Sequence, residues 1–150
     1  MKFRNANPDE SGYLIEIFCD SKRHWGYEDE LIELWRDDMS INEEYIRNNK
    51  VVVFSVDDVE IGYFAMRLKE RQLDDFFIRC EWIGKGYGRE AFEQIKRIMK
   101  VHDIKVLKFN TDPNAAGFYE RMGENISVNL NPYPKADLSL SLNTLYNLIN

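Results

Sequence analysis

Cysteine and histidine are scarce in this 150-residue chain, two of each, at Cys19, Cys80, His24 and His102. They form no spaced cluster, so neither a disulfide framework nor a metal site is expected, and a reducing, cytoplasmic setting is the simplest. Long apolar runs are missing too. No stretch approaches the roughly 20 residues that a membrane-spanning helix needs, and no basic leader with an apolar core opens the chain, so no membrane partner is expected. Positive charge is in deficit, with 20 Lys and Arg against 26 Asp and Glu and a net charge of −6. That balance argues against general nucleic-acid binding, which wants a basic face, and favours a cationic partner. Repeats, linkers and low-complexity tracts are also absent. The length then fits one domain over residues 1–150, able to bury roughly 68–70% of the surface its unfolded chain exposes.

The most informative segment is Ile83-Gly84-Lys85-Gly86-Tyr87-Gly88-Arg89, three alternate glycines between a strand-like run and a helical one. Backbone amides freed of Cβ atoms approach a ligand closely, and the following helix adds its positive end, so the loop reads as an anion cradle with pyrophosphate as its natural guest. A triphosphatase loop would need Ser or Thr after Gly-Lys for magnesium, but Gly86 follows Lys85. A dinucleotide fold would need the loop after its first strand and an acidic residue at the end of the next. Here the loop lies past mid-chain and the next strand ends in Asn110-Thr111.

Periodicity supplies the elements. Leu14, Ile15, Ile17 and Phe18 recur at helical spacing behind Asp9 or Ser11 as N-cap, and a second helix after Tyr27 carries Leu31, Ile32, Leu34 and Trp35. A third helix begins at Ser40 or Asn42. The period then changes to that of strands at Val51 to Val56, Val59 to Leu68 and Leu73 to Arg79, the first two joined by a tight turn at Asp57-Asp58. Helix Glu90 to Lys100 returns the chain to Val106 to Phe109, a crossover that implies a parallel neighbour. A helix from Asn114 to Met122 and late strands at Ile126 to Leu130 and Asp137 to Leu142 follow, the last two separated by a loop stiffened by Pro132 and Pro134. With a short strand near Lys2 to Asn5, the expected fold is α+β, a mixed, mostly antiparallel twisted sheet flanked by helices.

About thirty residues beyond the glycines stands Asp112-Pro113-Asn114-Ala115-Ala116-Gly117-Phe118-Tyr119-Glu120-Arg121-Met122-Gly123. The two segments together resemble the GCN5-related N-acetyltransferases, whose acyl-CoA loop follows Gln/Arg-x-x-Gly-x-Gly and whose later helix carries Phe-Tyr. Ile83 stands where Gln or Arg would, and Arg79-Cys80 replaces a common Asp-Pro. A third block, Ser21-Lys22-Arg23-His24-Trp25-Gly26-Tyr27, is similar to a segment of one bacterial branch of these enzymes.

The resemblance implies a GNAT-like fold and transfer of an acetyl group from acetyl-CoA to a primary amine of a small molecule or peptide, with no metal. An amine also fits the acidic balance. By the same resemblance Tyr119 is the general acid that protonates the CoA sulfur, and Asn114 with Phe118 fixes the cofactor arm. Backbone groups at Phe77 and Ile78 hold the pantetheine, and Ile83 through Arg89 hold the pyrophosphate. Trp25 and Tyr27, flanking the turn at Gly26, are candidates for the acceptor pocket. A packing role competes for both, and for Tyr119. Glu81, Asp74, Asp75, Glu28, Asp29 and His24 remain open as general base. Family members often form homodimers. Two other readings stand beside the enzyme: an acyl-CoA sensor without turnover, and a nucleotide-binding interaction domain resting on the glycine loop alone.

Overall fold

The computed structural model describes residues 1–111, 113–122 and 126–130. The expected strand Asp137 to Leu142 and the loop at Pro132 and Pro134 lie outside the described residues. Among the described residues six strands form one sheet in chain order: β1 (Lys2–Asn5), β2 (Lys50–Val56), β3 (Val59–Arg67), β4 (Gln72–Ile78), β5 (Leu107–Thr111) and β6 (Ile126–Leu130). The pairings among β1 to β4 are antiparallel, and β4 with β5 and β5 with β6 are parallel. Between β2 and β3, Asp57 and Asp58 both adopt positive φ. Two such residues in succession match the twist of a tight hairpin, and short polar side chains tolerate that conformation best after glycine.

Alternation along the strands divides the core. Val52, Phe54, Phe64 and Met66 face α4 (Tyr87–Val101), meeting Phe92, Ile95 and Ile98. Val51, Val53, Tyr63 and Ala65 face α1 (Ser11–Arg23), meeting Leu14 and Ile17. A third cluster joins Phe18 and Cys19 of α1 to Ile32 and Trp35 of α2 (Asp29–Asp37). Of the four apolar positions on α2, just these two are buried. Leu31 is 37% exposed and Leu34 62%, because a nine-residue helix lying on α1 presents one i, i+3 pair to it and turns the other to solvent.

Helix starts differ from expectation in two places. A 3-10 turn (Pro8–Glu10) begun by Asn7 precedes α1, whose N-cap is Glu10 and not Asp9 or Ser11; the Asn7 amide donates to Glu10 Oε2 at 2.6 Å. The helix after the glycine loop starts at Tyr87 instead of Glu90, with Gly86 as its N-cap. Asn42 does cap α3 (Glu43–Asn48), its side chain accepting from the Tyr45 amide at 2.8 Å.

Arg4 ties β1 to the start of the helical layer. Its guanidinium grips Glu10 with both terminal nitrogens, at 2.8 and 2.9 Å, and Glu60 on β3 through Nε at 2.6 Å. Hydrogen bonds from Arg4 hold both carboxyls below their ordinary value of 4.5. The folded state thus binds fewer protons than the unfolded chain, so this stabilisation is present above about pH 4.5 and lost as pH falls. Urea unfolding between about pH 6 and pH 3 is expected to show wild type losing more stability than Arg4→Met, whose carboxyls titrate near their unfolded values.

Candidate functional site

β4 and β5 pair only at their beginnings, Gln72 with Lys108 and Leu73 with Phe109, and then part. On its other side β4 stays paired with β3 as far as Ile78. Among the described residues no strand pairs with Asp74 to Ile78 on that side, so the stretch turns a row of backbone amides and carbonyls toward a gap. Backbone groups of that kind need partners. A cavity of about 510 Å³ fills the gap. One wall is β4, with Asp74, Phe76, Phe77 and Ile78; the other is the chain beyond β5, with Asn114, Ala115, Gly117, Phe118, Tyr119, Arg121 and Met122.

The glycine loop closes one end, through Ile83, Gly84, Gly86, Gly88 and Arg89. Gly84 and Gly86 sit at φ of 80° and 90°, which turns the chain sharply into α4 and points the first amides of a 15-residue helix at the cavity mouth. Gly88 does something else. Its φ is ordinary, but a Cβ there would lie 3.1 Å from the Phe118 ring and 3.3 Å from Ile78 Cδ1. The third glycine thus lets helix, strand and the Phe118 ring close together. Arg89 lines the cavity within the first turn, where a cation opposes the helix dipole unless an anion is near.

Tyr119, on the short helix α5 (Ala116–Glu120), lines the cavity while its ring, 6% exposed, lies among Phe76, Phe92, Phe109 and Phe118, with Phe109 at 4.3 Å. Packing and cavity lining are therefore combined in one residue. Asn114 is not the cap of α5, a place held by Ala115; its side chain donates to the Tyr27 hydroxyl at 3.1 Å. Tyr27 itself stands behind the wall, edge-on to Trp35 at 4.9 Å, whereas Trp25 reaches the cavity. Lys85 and Tyr87 also stay off the wall and pack around Trp82.

The carboxylates sort by environment. Asp74 lines the cavity and accepts from Arg67 at 2.7 and 3.0 Å and from the Tyr45 hydroxyl at 2.5 Å. Burial, then the Asp74 carboxylate, pushes the Tyr45 phenol far above its ordinary range. Asp75 is buried and accepts from the Tyr63 hydroxyl at 3.2 Å. Glu81 takes the Trp82 indole N–H, Asp29 faces Arg23, Glu28 is exposed, and His24 lies 3.8 Å from Cys80 Sγ. Among the described residues no group of three or more His, Cys, Asp or Glu is disposed to hold a metal ion, and no helix is long and apolar enough to cross a membrane.

Asp20 carried no sequence signal, and Ser21 and Lys22, though inside the block that resembles one bacterial branch, were given no site role from the sequence. Ser21 and Lys22 line the cavity, buried on α1. They continue the stripe of Leu14, Ile17 and Phe18 at i+4 spacing, which a polar residue type disguised. Asp20 accepts the Cys80 amide at 2.7 Å, pinning α1 to the end of β4. A proline at position 80 would have no N–H to give, so the departure from Asp-Pro has a structural use.

A family model described as an acetyltransferase (GNAT) domain matches residues 26–125. The chain belongs to the GCN5-related N-acetyltransferase (GNAT) family. At family level it is an acetyltransferase domain, and the family draws its acyl group from acetyl-CoA. Solved structures agree on the fold. A PaiA N-acetyltransferase from Thermoplasma acidophilum, in complex with coenzyme A, is similar with a TM-score of 0.69 at 19% identity, over 81% of this chain and 87% of that one. A GCN5-related N-acetyltransferase from Rhodopseudomonas palustris gives 0.68 at 16%, over 81% and 79%. Tetrahymena GCN5 gives 0.56 at 18%, over 82% and 78%. No curated protein matches the chain.

Proposed function

We propose that this GNAT chain acts as a single domain that moves the acetyl group of acetyl-CoA directly to a primary amine of a small molecule or peptide. The observation that carries the reading is the parting of β4 from β5, with a glycine-capped helix end at one extremity of the resulting cavity and Tyr119 along it. The cofactor's pyrophosphate lies against the amides of Gly84 to Arg89, with Arg89 supplying charge. Its pantetheine runs along Phe77 and Ile78 like a missing strand, exchanging hydrogen bonds with backbone groups that β5 leaves unpaired. Asn114 and Phe118 bound the arm on the facing wall. The likeness of the segment Ser21 to Tyr27 to Ser-Lys-x-x-Trp-Gly-Tyr supports the reading that the chain belongs to the bacterial branch carrying it.

In the transfer the neutral amine attacks the thioester carbonyl carbon, a C–N bond forms, and the C–S bond breaks as the tetrahedral adduct collapses. Tyr119 gives its phenolic proton to the departing thiolate, and the proton that the attacking nitrogen sheds on becoming an amide passes to solvent, from which the phenolate is reprotonated. Backbone N–H groups of the parted strand stabilise charge on the carbonyl oxygen, fixed before the reaction begins and screened from water.

Thermal unfolding with acetyl-CoA, CoA, ATP and NAD tests the reading. A ligand at 100 times its dissociation constant adds about 2.7 kcal/mol, which at this size raises the midpoint by roughly 5–11 °C. Acetyl-CoA and CoA are expected to give that shift. A shift with ATP or NAD and none with CoA would overturn it, and CoA binding without turnover on any amine would leave the sensor.

A further inference from the structure

Among the described residues that line the cavity, Asp74 is the one carboxylate. A bulge puts it there. Ala65 on β3 stands opposite Asp75 and Met66 opposite Leu73, so Asp74 is an extra residue with no partner across that ladder. Successive strand residues ordinarily face opposite sides of a sheet, and an extra one re-aims the side chains around it. Asp75 meets Tyr63, and Asp74 meets Tyr45, which packs in the same cluster as Tyr63 on the α1 side. The two aspartates therefore share the face away from α4, while Phe76 and Ile78 pack toward α4.

Asp74 also marks the closed end of the gap, next to the pair formed by Leu73 and Phe109. Tyr119 lies at the same end, its ring 4.3 Å from that of Phe109. From Asp74 to Ile78 the strand covers roughly 13 Å, and the glycine loop lies beyond. A cofactor arm that enters at the glycines and follows β4 thus delivers its thioester to Asp74 and Tyr119. The Asp74 side chain is 23% exposed and that of Arg67 40%, so an acceptor can reach this end from solvent on the α1 side.

The carboxylate is held without being used up. Oδ2 accepts from Arg67 Nε and from the Tyr45 hydroxyl, and Oδ1 accepts from Arg67 Nη2 alone. A carboxylate oxygen has two lone-pair sites, so one on Oδ1 is left. The hydrogen bond to Asp74, before any other cause, raises Arg67 above its ordinary value, and a two-point grip of this kind fixes a carboxylate as an acceptor.

We propose that Asp74 is the acceptor-binding residue of the transfer, taking an N–H of the attacking amine on Oδ1 so that the nitrogen lone pair turns to the thioester carbon. Arg67 and Tyr45 are positioning residues that fix the carboxylate for this contact. The proposal rests on the acetyl-transfer reading above. An amine that arrives as an ammonium is drawn to the carboxylate, sheds one proton to solvent through the open face, and attacks as the neutral base with an N–H still on Asp74. The carboxylate orients the nucleophile and keeps its own charge throughout.

The test is steady-state kinetics with acetyl-CoA and a panel of glycinamide, lysine, spermidine and kanamycin, followed by release of the CoA thiol, on wild type, Asp74→Asn and Tyr45→Phe. For the best amine, Asp74→Asn is expected to raise KM at least about tenfold, the scale of a hydrogen bond to a charged group, with KM and thermal shift for acetyl-CoA little changed. Tyr45→Phe is expected to raise KM for the amine severalfold alone and to add nothing in the Asp74→Asn background, since the two act as one unit. An unchanged KM for the amine in Asp74→Asn overturns the proposal alone, as does a loss confined to kcat, which would make Asp74 a proton store. A KM for acetyl-CoA that rises in step overturns it too. Should Asp74→Asn fail to fold, an unchanged KM in Tyr45→Phe overturns it in its place. No turnover of any amine by wild type, with the acetyl-CoA thermal shift intact, overturns the transfer reading and this proposal with it.

Discussion

Tyr119→Phe is expected to lower kcat by about a hundredfold or more, the range of a lost general acid, while acetyl-CoA still raises the unfolding midpoint as in wild type. The substitution is chosen for what it preserves. Phe76, Phe92, Phe109 and Phe118 hold the ring on several sides, and a phenylalanine keeps these contacts. Losing one hydroxyl should change stability by about 0.5–1.5 kcal/mol. A packing role predicts the opposite pattern, in which Tyr119→Phe turns over normally and only a larger truncation such as Tyr119→Ala does harm. Kinetics with any turned-over amine, beside a thermal scan of the same variant, separates the two. Normal kcat in Tyr119→Phe removes this tyrosine from the chemistry.

The second large effect is structural and begins at Gly62. This residue lies on β3 opposite Ile78, beneath the Phe54 ring. A Cβ at that place would stand 2.4 Å from Phe54 Cζ and 2.4 Å from the Phe77 carbonyl oxygen. The ring can turn aside; the carbonyl belongs to the strand that bounds the cavity. Gly62→Ala is therefore expected to cost about 1–3 kcal/mol, the range for overpacking, and to lower the midpoint by roughly 2–12 °C. It should also shrink the acetyl-CoA thermal shift, because Phe77 and Ile78 move together. An unfolding curve matching wild type would mean that β3 and β4 separate there without cost.

Elements were legible where short β-branched runs or helical spacing coincide with burial. Val51 to Val56 alternates core with core, one residue toward α4 and the next toward α1, and reads as a strand without ambiguity. Helix α4 was legible in kind but not in its start, since Gly86 takes a left-handed conformation that turns the chain into a helix one turn early. The glycine loop and Tyr119 announced themselves as motifs. Lys22 stood within the third block of the resemblance, but its burial was not legible, because lysine on an apolar stripe reads as a surface residue until the four rings around it are seen in space. The Asn114 to Tyr27 bond joins residues 87 apart in the chain, and nothing local in either segment encodes it.

The parting of β4 and β5 makes the sheet two plates joined at a narrow base of two residue pairs. A plate held in that way can pivot, and whatever fills the wedge between the plates acts as mortar. Ligand fit and the rigidity of the whole molecule then become one property. Amide exchange along β4 should slow when the wedge is filled, even at positions the ligand never touches.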